Sequence, residues 1–239
     1  MPDISTNRQS NQLLAALSAA DMARLNPHLT RVNLKLLQKL EKPNKPIDYI
    51  YFMHAGIASV VAVQSDETRV EIGLVGREGM TGSPVVLGDS QSPHSTYIQA
   101  VGAGDRIAAT ELRAAARDSE TLHRLLLKYV QSFMVQTAHT AIANARAKLP
   151  ERLARWILMA QDRVDGDVLP LTHDFLALML GVRRAGVTEA LHDLQRRRLI
   201  QTKRGFVLVL DRAGLERKAG DFYGGPEQEY RRLIGPARA

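Results

Sequence analysis

The spacing of hydrophobic and polar residues divides the chain into regions of different periodicity. After about ten polar residues, apolar residues recur at helical spacing, at Leu13, Leu14, Leu17, Met22 and Leu25. Ser18 or Asp21 is placed to cap a short helix there. We therefore expect one or two short amphipathic helices, packed on the region that follows.

Short apolar runs take over from Val32 to about Leu112. They read IDYIYFMHAG, IASVVAVQ, TRVEIGLVG and TYIQAVGAGD, and they are separated by Gly, Pro, Asp and Ser. Runs of this length bounded by such residues are typical of strands and tight turns. The region is therefore predicted to be a small antiparallel sandwich or barrel.

Residues 119–148 contain neither Gly nor Pro, and their apolar residues recur at three- and four-residue steps. The pattern predicts a helix about 45 Å long, at about 1.5 Å per residue. Because a compact sheet domain has too little surface to cover such a helix, we expect it to pair with its own copy in a homodimer. The residues assigned to dimerisation are Leu122, Leu126, Tyr129, Phe133 and Thr140.

Pro150 falls where the long helix should end. Since proline suits the first turn of a helix, LPERLARWILMAQDRV is predicted to begin a new amphipathic segment. Further along, LIQTKRGFVLVL predicts a two-stranded ribbon with its turn at Lys203, Arg204 and Gly205. The tail after Gly220 is rich in Gly, Pro and charged residues, and we expect it to be partly disordered.

Residues 171–195 have the pattern of two helices joined by a tight glycine turn. Thr172 is placed to cap the first helix, Gly181 and Val182 form the turn, and the second helix runs from Arg183. The first helix has an apolar face of Phe175, Leu176, Met179 and Leu180. The second has an inner face of Val187, Ala190, Leu191 and Leu194. Such a helix-turn-helix presents the outer face of its second helix to the major groove of DNA.

Positive charge is concentrated in the same segment. The 239 residues include 32 basic and 25 acidic side chains, a formal net charge of +7. Residues 183–204 alone contain seven Lys or Arg and two acidic residues, a net charge of +5. This distribution favours a polyanionic partner such as nucleic acid. An ordinary helical hairpin with a solvated basic face is the competing interpretation.

The segment LTHDFLALMLGVRRAGVTEALHDLQRRRLI closely resembles the helix-turn-helix of the Crp/Fnr family of bacterial transcription regulators. The order of regions also resembles that family, from about residue 11 to about residue 220. The resemblance implies an α+β fold, whose N-terminal antiparallel β sandwich or barrel (residues 1–118) is a cyclic-nucleotide-binding-like jelly roll. A long dimerisation helix (119–149), a winged helix-turn-helix (150–220) and a C-terminal tail (221–239) complete the expected domains.

The implied function is regulation of transcription by a homodimer that binds double-stranded DNA at a pseudo-palindromic operator. RNA polymerase is a further partner that the resemblance implies, and the small-molecule effector stays unknown. By position, Arg184 matches the arginine with which the family reads guanine, through O6 and N7. Ala185 and Glu189 are the other base-reading candidates, and because many members have Glu and Arg at these positions, the family's usual half-site is not assumed.

Other residues of the segment are assigned to the DNA backbone. They are Arg183, Gly186, Thr188, Thr172, Lys203 and Arg204. Arg196, Arg197 and Arg198 either contact the backbone as well or are simply solvated. Gly186 costs roughly 1 kcal/mol relative to alanine in a helix. It stands where many members have Thr or Ser, so it either permits close approach to the DNA or reflects sequence drift.

GREGMTGSPVVLG, residues 76–88, occupies the place of the family's phosphate cassette. Gly82 and Ser83 stand where its glycine and glutamate would be sought, and SPHSTYIQA provides Ser95 and Thr96 but no arginine. A cyclic phosphate without a cationic partner loses its charge-assisted hydrogen bonds, so cyclic AMP is not expected to bind. The residues of this degenerate effector pocket are Gly76, Glu78, Gly82, Ser83, Ser95 and Thr96, with Glu78 assigned to the surface.

Several classes of function lack the residues they need. The sequence has no cysteine, which excludes disulfides, thiolate zinc sites, iron–sulfur clusters and thiol catalysis. Its seven histidines are scattered and form no His-x-His or His-Glu-x-x-His pattern, so we expect neither a metal cofactor nor enzymatic activity. The N-terminal apolar patch is too short for a membrane span, and a cytoplasmic protein is expected. The alternative function is a small-molecule sensor or protein-interaction module whose helix-turn-helix lacks specific DNA binding.

Overall fold

The computed structural model describes residues 11–63 and 69–235. Two short helices open the described chain, α1 (Gln12–Ala15) and α2 (Ala19–Leu25), followed by a 3-10 turn at Asn26–His28. Ser18 caps α2, and its hydroxyl accepts a hydrogen bond from the Asp21 amide at 3.1 Å. The predicted N-terminal helices and one of the two candidate caps are thus confirmed.

The described residues of the N-terminal domain include seven strands. They are β1 (Thr30–Leu34), β2 (Lys39–Glu41), β3 (Lys45–Pro46), β4 (Tyr49–Val63), β5 (Arg69–Val75), β6 (Gln91–Ser92) and β7 (Ser95–Ala108). In the main antiparallel sheet the order is β1-β7-β4-β5, with β2 also paired to β7. Strands β3 and β6 form a second, two-stranded sheet. The antiparallel β domain that the sequence predicts is confirmed.

Two predicted strands are one continuous strand in the structure. The sequence separates IDYIYFMHAG from IASVVAVQ at Gly56, whereas β4 continues through this glycine as a bulge with φ of +84°. A Cβ at Gly56 would lie 2.5 Å from the carbonyl oxygen of Ala100 on β7, so the glycine allows the two strands to stay close. The β region also ends at Ala108 rather than Leu112, because Ala109–Arg117 forms helix α4.

Alternating side chains of β4 pack into two separate apolar layers. Tyr51 and Met53 lie with Ile98 in the interior of the sheet domain. Ile50 and Phe52 point the other way, into a core shared with helices α1, α4 and α5 (Glu120–Arg146). A short helix, α3 (Ser83–Val86), contributes Val85 to this second core. The period-two pattern of the strand therefore fixes α5 against one face of the sheet.

The long helix α5 confirms the expected element but not the residues assigned to dimerisation. Leu122, Leu126 and Tyr129 are almost fully buried in the core of their own chain. Phe133 packs against Gly73 of β5, and the hydroxyl of Thr140 donates to Gln136 and accepts from Arg155. Burial in their own chain removes Leu122, Leu126 and Tyr129 from a dimer contact, whereas Phe133 and Thr140 are partly exposed and their assignment stays a prediction.

The opposite face of α5 is exposed and apolar. Its members, which we call the α5 stripe, are Leu127, Met134, Ala138, Ala141, Ile142 and Ala145. Leu127, Met134 and Ile142 are 40%, 57% and 48% exposed. The steps of three, four and seven residues place the stripe along one side of the helix.

The C-terminal domain is a helical core with a small sheet. Its helices are α6 (Leu149–Gln161), α7 (His173–Leu180), α8 (Arg184–Arg196) and α9 (Arg212–Ala219). Its strands, β8 (Val168–Leu169), β9 (Ile200–Lys203) and β10 (Phe206–Val209), pair in the order β8-β10-β9. The predicted ribbon is confirmed as β9 and β10, and β8 adds a third strand that was not predicted. No described helix is both long enough and apolar enough to cross a membrane.

Residues 221–235 of the tail form regular structure where partial disorder was expected, and residues 236–239 of that prediction lie outside the described residues. Following a 3-10 turn at Gly220–Phe222, helix α10 (Gly225–Ile234) packs along α5. Gly225 lies against His139, and the hydroxyl of Tyr230 donates to the carbonyl oxygen of Glu78 at 2.6 Å. The tail thereby ties the C-terminal domain to α5 and to the loop after β5.

Replacing Tyr230 with Phe should lower the free energy of unfolding by about 1 kcal/mol, since one hydrogen bond is lost and the ring is retained. Urea unfolding of the full chain measures the change. Tyr49→Phe is the matched control, because Tyr49 is 39% exposed and its loss of a hydroxyl should have no measurable effect. Equal stability of the Tyr230 variant and the natural chain would show that the tail contact contributes nothing.

Candidate nucleic-acid interface

A glycine sets the angle between α7 and α8. Thr172 caps α7 by accepting from the Phe175 amide at 3.2 Å, as the sequence predicts. Gly181 ends the helix at φ of +62°, and the Val182 amide donates back to the Ala177 carbonyl at 3.0 Å. This left-handed C-cap turns the chain sharply, so that α8 begins only three residues after α7 ends.

One face of α8 is buried and the other is presented to solvent. The inner residues Val187, Ala190, Leu191 and Leu194 are at most 3% exposed and pack with the core of the C-terminal domain, as predicted. Arg184, Ala185, Glu189 and His192 lie on the exposed side. The base-reading candidates are therefore brought together on one accessible helix face.

Arg184 is held over the first turn of α7 by an exposed ion pair. Its Nε lies 3.3 Å from Oδ1 of Asp174, and the two side chains are 66% and 71% exposed. An ion pair this exposed contributes about 0–1 kcal/mol, so the guanidinium can exchange Asp174 for another acceptor. Asp174, ten residues before Arg184, is a contact that the helical periodicity did not reveal.

Several residues that the sequence analysis assigned to contacts with the DNA backbone flank the exposed face of α8. Arg183 is exposed at the N-cap of α8, while the Thr188 hydroxyl contacts His173 Nδ1 at 3.0 Å and the Arg184 carbonyl at 3.2 Å. Lys203 and Arg204 are exposed at the turn between β9 and β10. Because the amide and hydroxyl of Thr202 both donate to Gln195 on α8, the ribbon is fixed beside the helix.

The three arginines at the end of α8 separate in the structure. Arg196 and Arg197 lie 3.4 and 3.2 Å from carboxylate oxygens of Asp193 on their own helix. Arg198 adopts a left-handed conformation with φ of +58°, after the end of the helix. The first two are thus engaged in local ion pairs at the exposed surface.

Residues 151–218 match the family described as the Crp-like helix-turn-helix domain. We call residues 151–218 the Crp-like domain, after the family that they match. The match includes α6, α7, α8 and the β9–β10 ribbon, and it agrees with the resemblance found in the sequence.

The comparisons extend to the rest of the chain. The transcriptional regulator LdrP of Thermus thermophilus is 28% identical over 181 residues, which are 72% of this chain and 87% of LdrP. A crp/fnr family regulator from Eubacterium rectale superposes with a TM-score of 0.68 at 16% identity, over 87% of this chain and 97% of that protein. FixK2 from Bradyrhizobium japonicum gives 0.67 at 16% identity, over 80% and 98%. The chain therefore has the fold of Crp/Fnr regulators.

The Cβ direction of Gly186, a residue that the sequence assigned to the DNA backbone, points towards a neighbouring helix. A Cβ at this position would lie 3.1 Å from Cδ2 of Leu149, at the start of α6. The missing side chain thus allows the first turn of α8 to lie close to α6. Contact with Leu149 is a packing reason for a small residue here, and the two explanations from the sequence, close approach to DNA and drift, stay predictions.

Two residues of the degenerate effector pocket, Gly82 and Ser95, are hydrogen-bonded to the same acid, Glu41. The Gly82 amide donates to Oε1 of Glu41 at 2.8 Å, and Ser83 begins helix α3. The Ser95 hydroxyl donates to the Glu41 carbonyl at 3.4 Å, and Thr96 is fully buried. The Gly82 amide is therefore already hydrogen-bonded to the side chain of Glu41. No pattern in the sequence singled out this acid.

Glu78 lies at a domain contact rather than at the free surface to which it was assigned. Its Oε1 accepts from Nε and Nη2 of Arg163, at 2.8 and 2.7 Å. The two side chains are 18% and 6% exposed. The pair connects the loop after β5 to the end of α6, and Gly76 lies directly against the side chain of Arg163.

A cavity of about 240 Å³ lies beside this pair, between α5 and α10. Its lining includes Tyr129, Gln136, Tyr223 and Tyr230. The polar groups of these residues bond to the chain itself: Tyr129 donates to the Met80 carbonyl, and Gln136 bonds to the main chain of Leu74. The cavity therefore presents a polar lining that is already satisfied internally.

Histidines are dispersed in the structure as in the sequence. His54 is buried, and its Nε2 lies 2.9 Å from Oδ2 of Asp105. Within residues 11–63 and 69–235, no group of three or more His, Asp or Glu side chains is arranged to hold a metal ion.

Two glycines of the Crp-like domain should respond in opposite directions to alanine. Gly181→Ala should lower the free energy of unfolding by about 1–2 kcal/mol, because a left-handed φ strains any residue with a Cβ. Gly186→Ala should raise it by less than about 1 kcal/mol, since helix propensity improves and the terminal methyl of Leu149 can shift slightly. Thermal unfolding of the full chain measures both, and destabilisation of the Gly186 variant would show that Leu149 is fixed.

Proposed function

We propose that the chain is a homodimeric transcription regulator that binds a specific, pseudo-palindromic DNA operator through α8. The observation that supports this proposal is the exposed outer face of α8 in a Crp-like domain, with Arg184 at its first turn and a basic ribbon beside it. The related protein LdrP is a transcriptional regulator. A helix presented in this way fits the major groove of B-form DNA.

Arg184 is the residue proposed to read a guanine, by bidentate donation to O6 and N7. Glu189, one turn further along the exposed face, has the chemistry to accept from the amino group of cytosine. Ala185 adds a small apolar contact between them. Arg183, Lys203 and Arg204 are placed to contact phosphates, which position the protein without reading sequence.

The α5 stripe is the surface proposed to form the dimer. Its large members are exposed although they are apolar, and the inner face of the helix is already used by the sheet. Pairing of two stripes about a two-fold axis would bury them and place two copies of α8 side by side. The half-sites would then be centred about one turn of DNA apart, roughly 34 Å.

Cyclic AMP is not the proposed effector. Glu41 presents a carboxylate at the Gly82 amide, where a cyclic phosphate would require a positively polarised group. Burial is the largest influence on this acid and raises its pKa, while the Gly82 amide opposes the shift. Action on RNA polymerase and control by another small molecule remain predictions from the family resemblance.

Replacing Arg184 with alanine should weaken binding to the operator by about 1–3 kcal/mol and relax the preference at one base pair. The operator is first obtained from a random duplex pool with the natural chain, and affinities are then measured at several salt concentrations. Lys203→Ala should instead weaken all sequences equally and reduce the salt slope by about 1.

Arg117→Ala, an exposed change on α4, serves as the control and should bind normally. If Arg184→Ala binds the operator as tightly as the natural chain, base reading by this residue is excluded. If no preferred sequence emerges from the pool and affinity is independent of salt, the alternative of a sensor or interaction module is favoured.

Met134→Glu in the α5 stripe should convert the dimer to a monomer, because two carboxylates would be buried at the contact. Sedimentation velocity at micromolar concentration distinguishes the two states. Lys128→Glu is the control on the same helix. At about 3.6 residues per turn, Lys128 is rotated about 100° around the helix axis from Leu127, so this variant should remain dimeric. A Met134→Glu variant that sediments as a dimer would place the contact elsewhere.

A further inference from the structure

A hydrogen bond joins the N-terminal sheet to the first helix of the Crp-like domain at a buried acid. Nε1 of Trp156 on α6 donates to Oε1 of Glu71 on β5 at 2.6 Å. The other carboxylate oxygen of Glu71 accepts from the Ser59 hydroxyl on β4 at 2.7 Å. Glu71 is 6% exposed and Trp156 is 3% exposed. Both oxygens of the acid are therefore used, one on each side of the domain contact.

The hydrogen bonds continue into a third strand. The Ser59 hydroxyl also contacts the side-chain amide of Gln99 on β7. When Glu71 is ionised, this hydroxyl gives its one proton to the carboxylate, and Gln99 then presents its NH₂ group rather than its oxygen. That orientation also provides a partner for the amide nitrogen of Gln99, which is buried. A chain of hydrogen bonds thus runs from β7 through β4 and β5 to α6.

Apolar side chains pack around much of this chain of hydrogen bonds. Ile57, Val61 and Leu74 of the sheet pack with Leu153 and Ile157 of α6 in one core. The ring of Trp156 meets that of Phe175 edge to face, with centroids 6.0 Å apart. An ionised carboxylate in such surroundings is costly. Burial raises the pKa of Glu71 to about 7, and the bonds from Ser59 and Trp156 offset only part of that effect.

Arginines and one tyrosine are the other charged or titratable groups near Glu71. On α6 they are Arg152 and Arg155, just after α6 Arg163, on β5 Arg69 and on β7 Tyr97. Burial raises the pKa of Tyr97 to about 12 and lowers that of Arg155 to about 10. From α5 and α7 the described neighbours are Thr140, Ala143, Asn144, Met179 and Leu180, none of which titrates.

We propose that Glu71 and Trp156 form a proton-operated latch between the N-terminal sheet and the Crp-like domain. Protonation of Glu71 holds α6 against β5, and its ionisation favours release of α6 into a state where the carboxylate is hydrated. The latch is strongest at pH values below the ordinary pKa of a glutamate side chain. It weakens as the pH rises through neutrality, because the docked state favours the neutral acid. Since α8 packs on α6, release changes the position of the recognition helix relative to α5.

The sole tryptophan of the sequence is Trp156, so its fluorescence reports on the latch without a label. Titration of the full-length chain from pH 5 to 9, without DNA, should show a transition in emission with a midpoint near 7. Glu71→Gln, which is neutral throughout and can still accept from the indole, should retain the low-pH emission at every pH. Glu111→Gln, an exposed acid paired with His28, should keep the transition.

A flat emission of the natural chain, or a transition that persists in Glu71→Gln, would overturn the proposal. Hydrogen exchange of the α6 amides gives a second measure that does not need the glutamine variant to fold. Their protection factors should fall at least about tenfold between pH 5.5 and 8.5. Each unit by which the pKa of Glu71 differs between the docked and released states changes the docking equilibrium about tenfold.

Trp156→Phe keeps an aromatic ring and removes the N–H that stabilises the ionised acid. In this variant the midpoint of the exchange profile should move to higher pH. A packing role alone would lower protection equally at all pH values and leave the midpoint in place. That result would assign Trp156 to the core and exclude it from the latch.

Discussion

Apolar side chains of the N-terminal sheet and of α6 form one continuous core, and the position of the recognition helix depends on it. Ile57, Val61 and Leu74 come from the sheet, while Leu153 and Trp156 come from the Crp-like domain. Full burial of a large apolar side chain contributes about 1.5–3 kcal/mol, so these residues favour the docked arrangement of the two domains. The helix-turn-helix is consequently docked on the sheet domain rather than carried on a free linker.

Helix α5 serves two partners with two different faces. Its inner face covers the sheet through Leu122, Leu126 and Tyr129, and its outer stripe remains apolar and exposed. The tail helix α10 packs along a flank of α5 and leaves the stripe uncovered, since Leu127 and Met134 keep their exposure. A helix that is fixed on one side and exposed on the other is suited to transmit the geometry of the proposed dimer to both copies of the Crp-like domain.

Local patterns in the sequence predicted most of this architecture. The 3.6-residue period of α8 identified Val187, Ala190, Leu191 and Leu194 as its inner face, and Gly181 marked the turn because only glycine readily adopts that φ. Periodicity failed where two apolar faces share one helix, as on α5, because spacing alone does not reveal which face meets the chain's own sheet. It also did not reveal the contacts of Gly186 and of the tail, whose partners Leu149 and Glu78 are distant in sequence.

Buried acids escaped the sequence analysis for the same reason, and they differ in what their protonation can do. Glu41 accepts from Gly82 inside the N-terminal domain, so a change in its charge affects that domain alone. Glu71 divides its two oxygens between Ser59 of the sheet and Trp156 of the Crp-like domain. A change in the charge of Glu71 therefore alters the free energy of the contact between the domains. Burial disfavours the ionised form of both acids. Only Glu71 contacts both domains, so only its ionisation shifts the equilibrium between their docked and released arrangements.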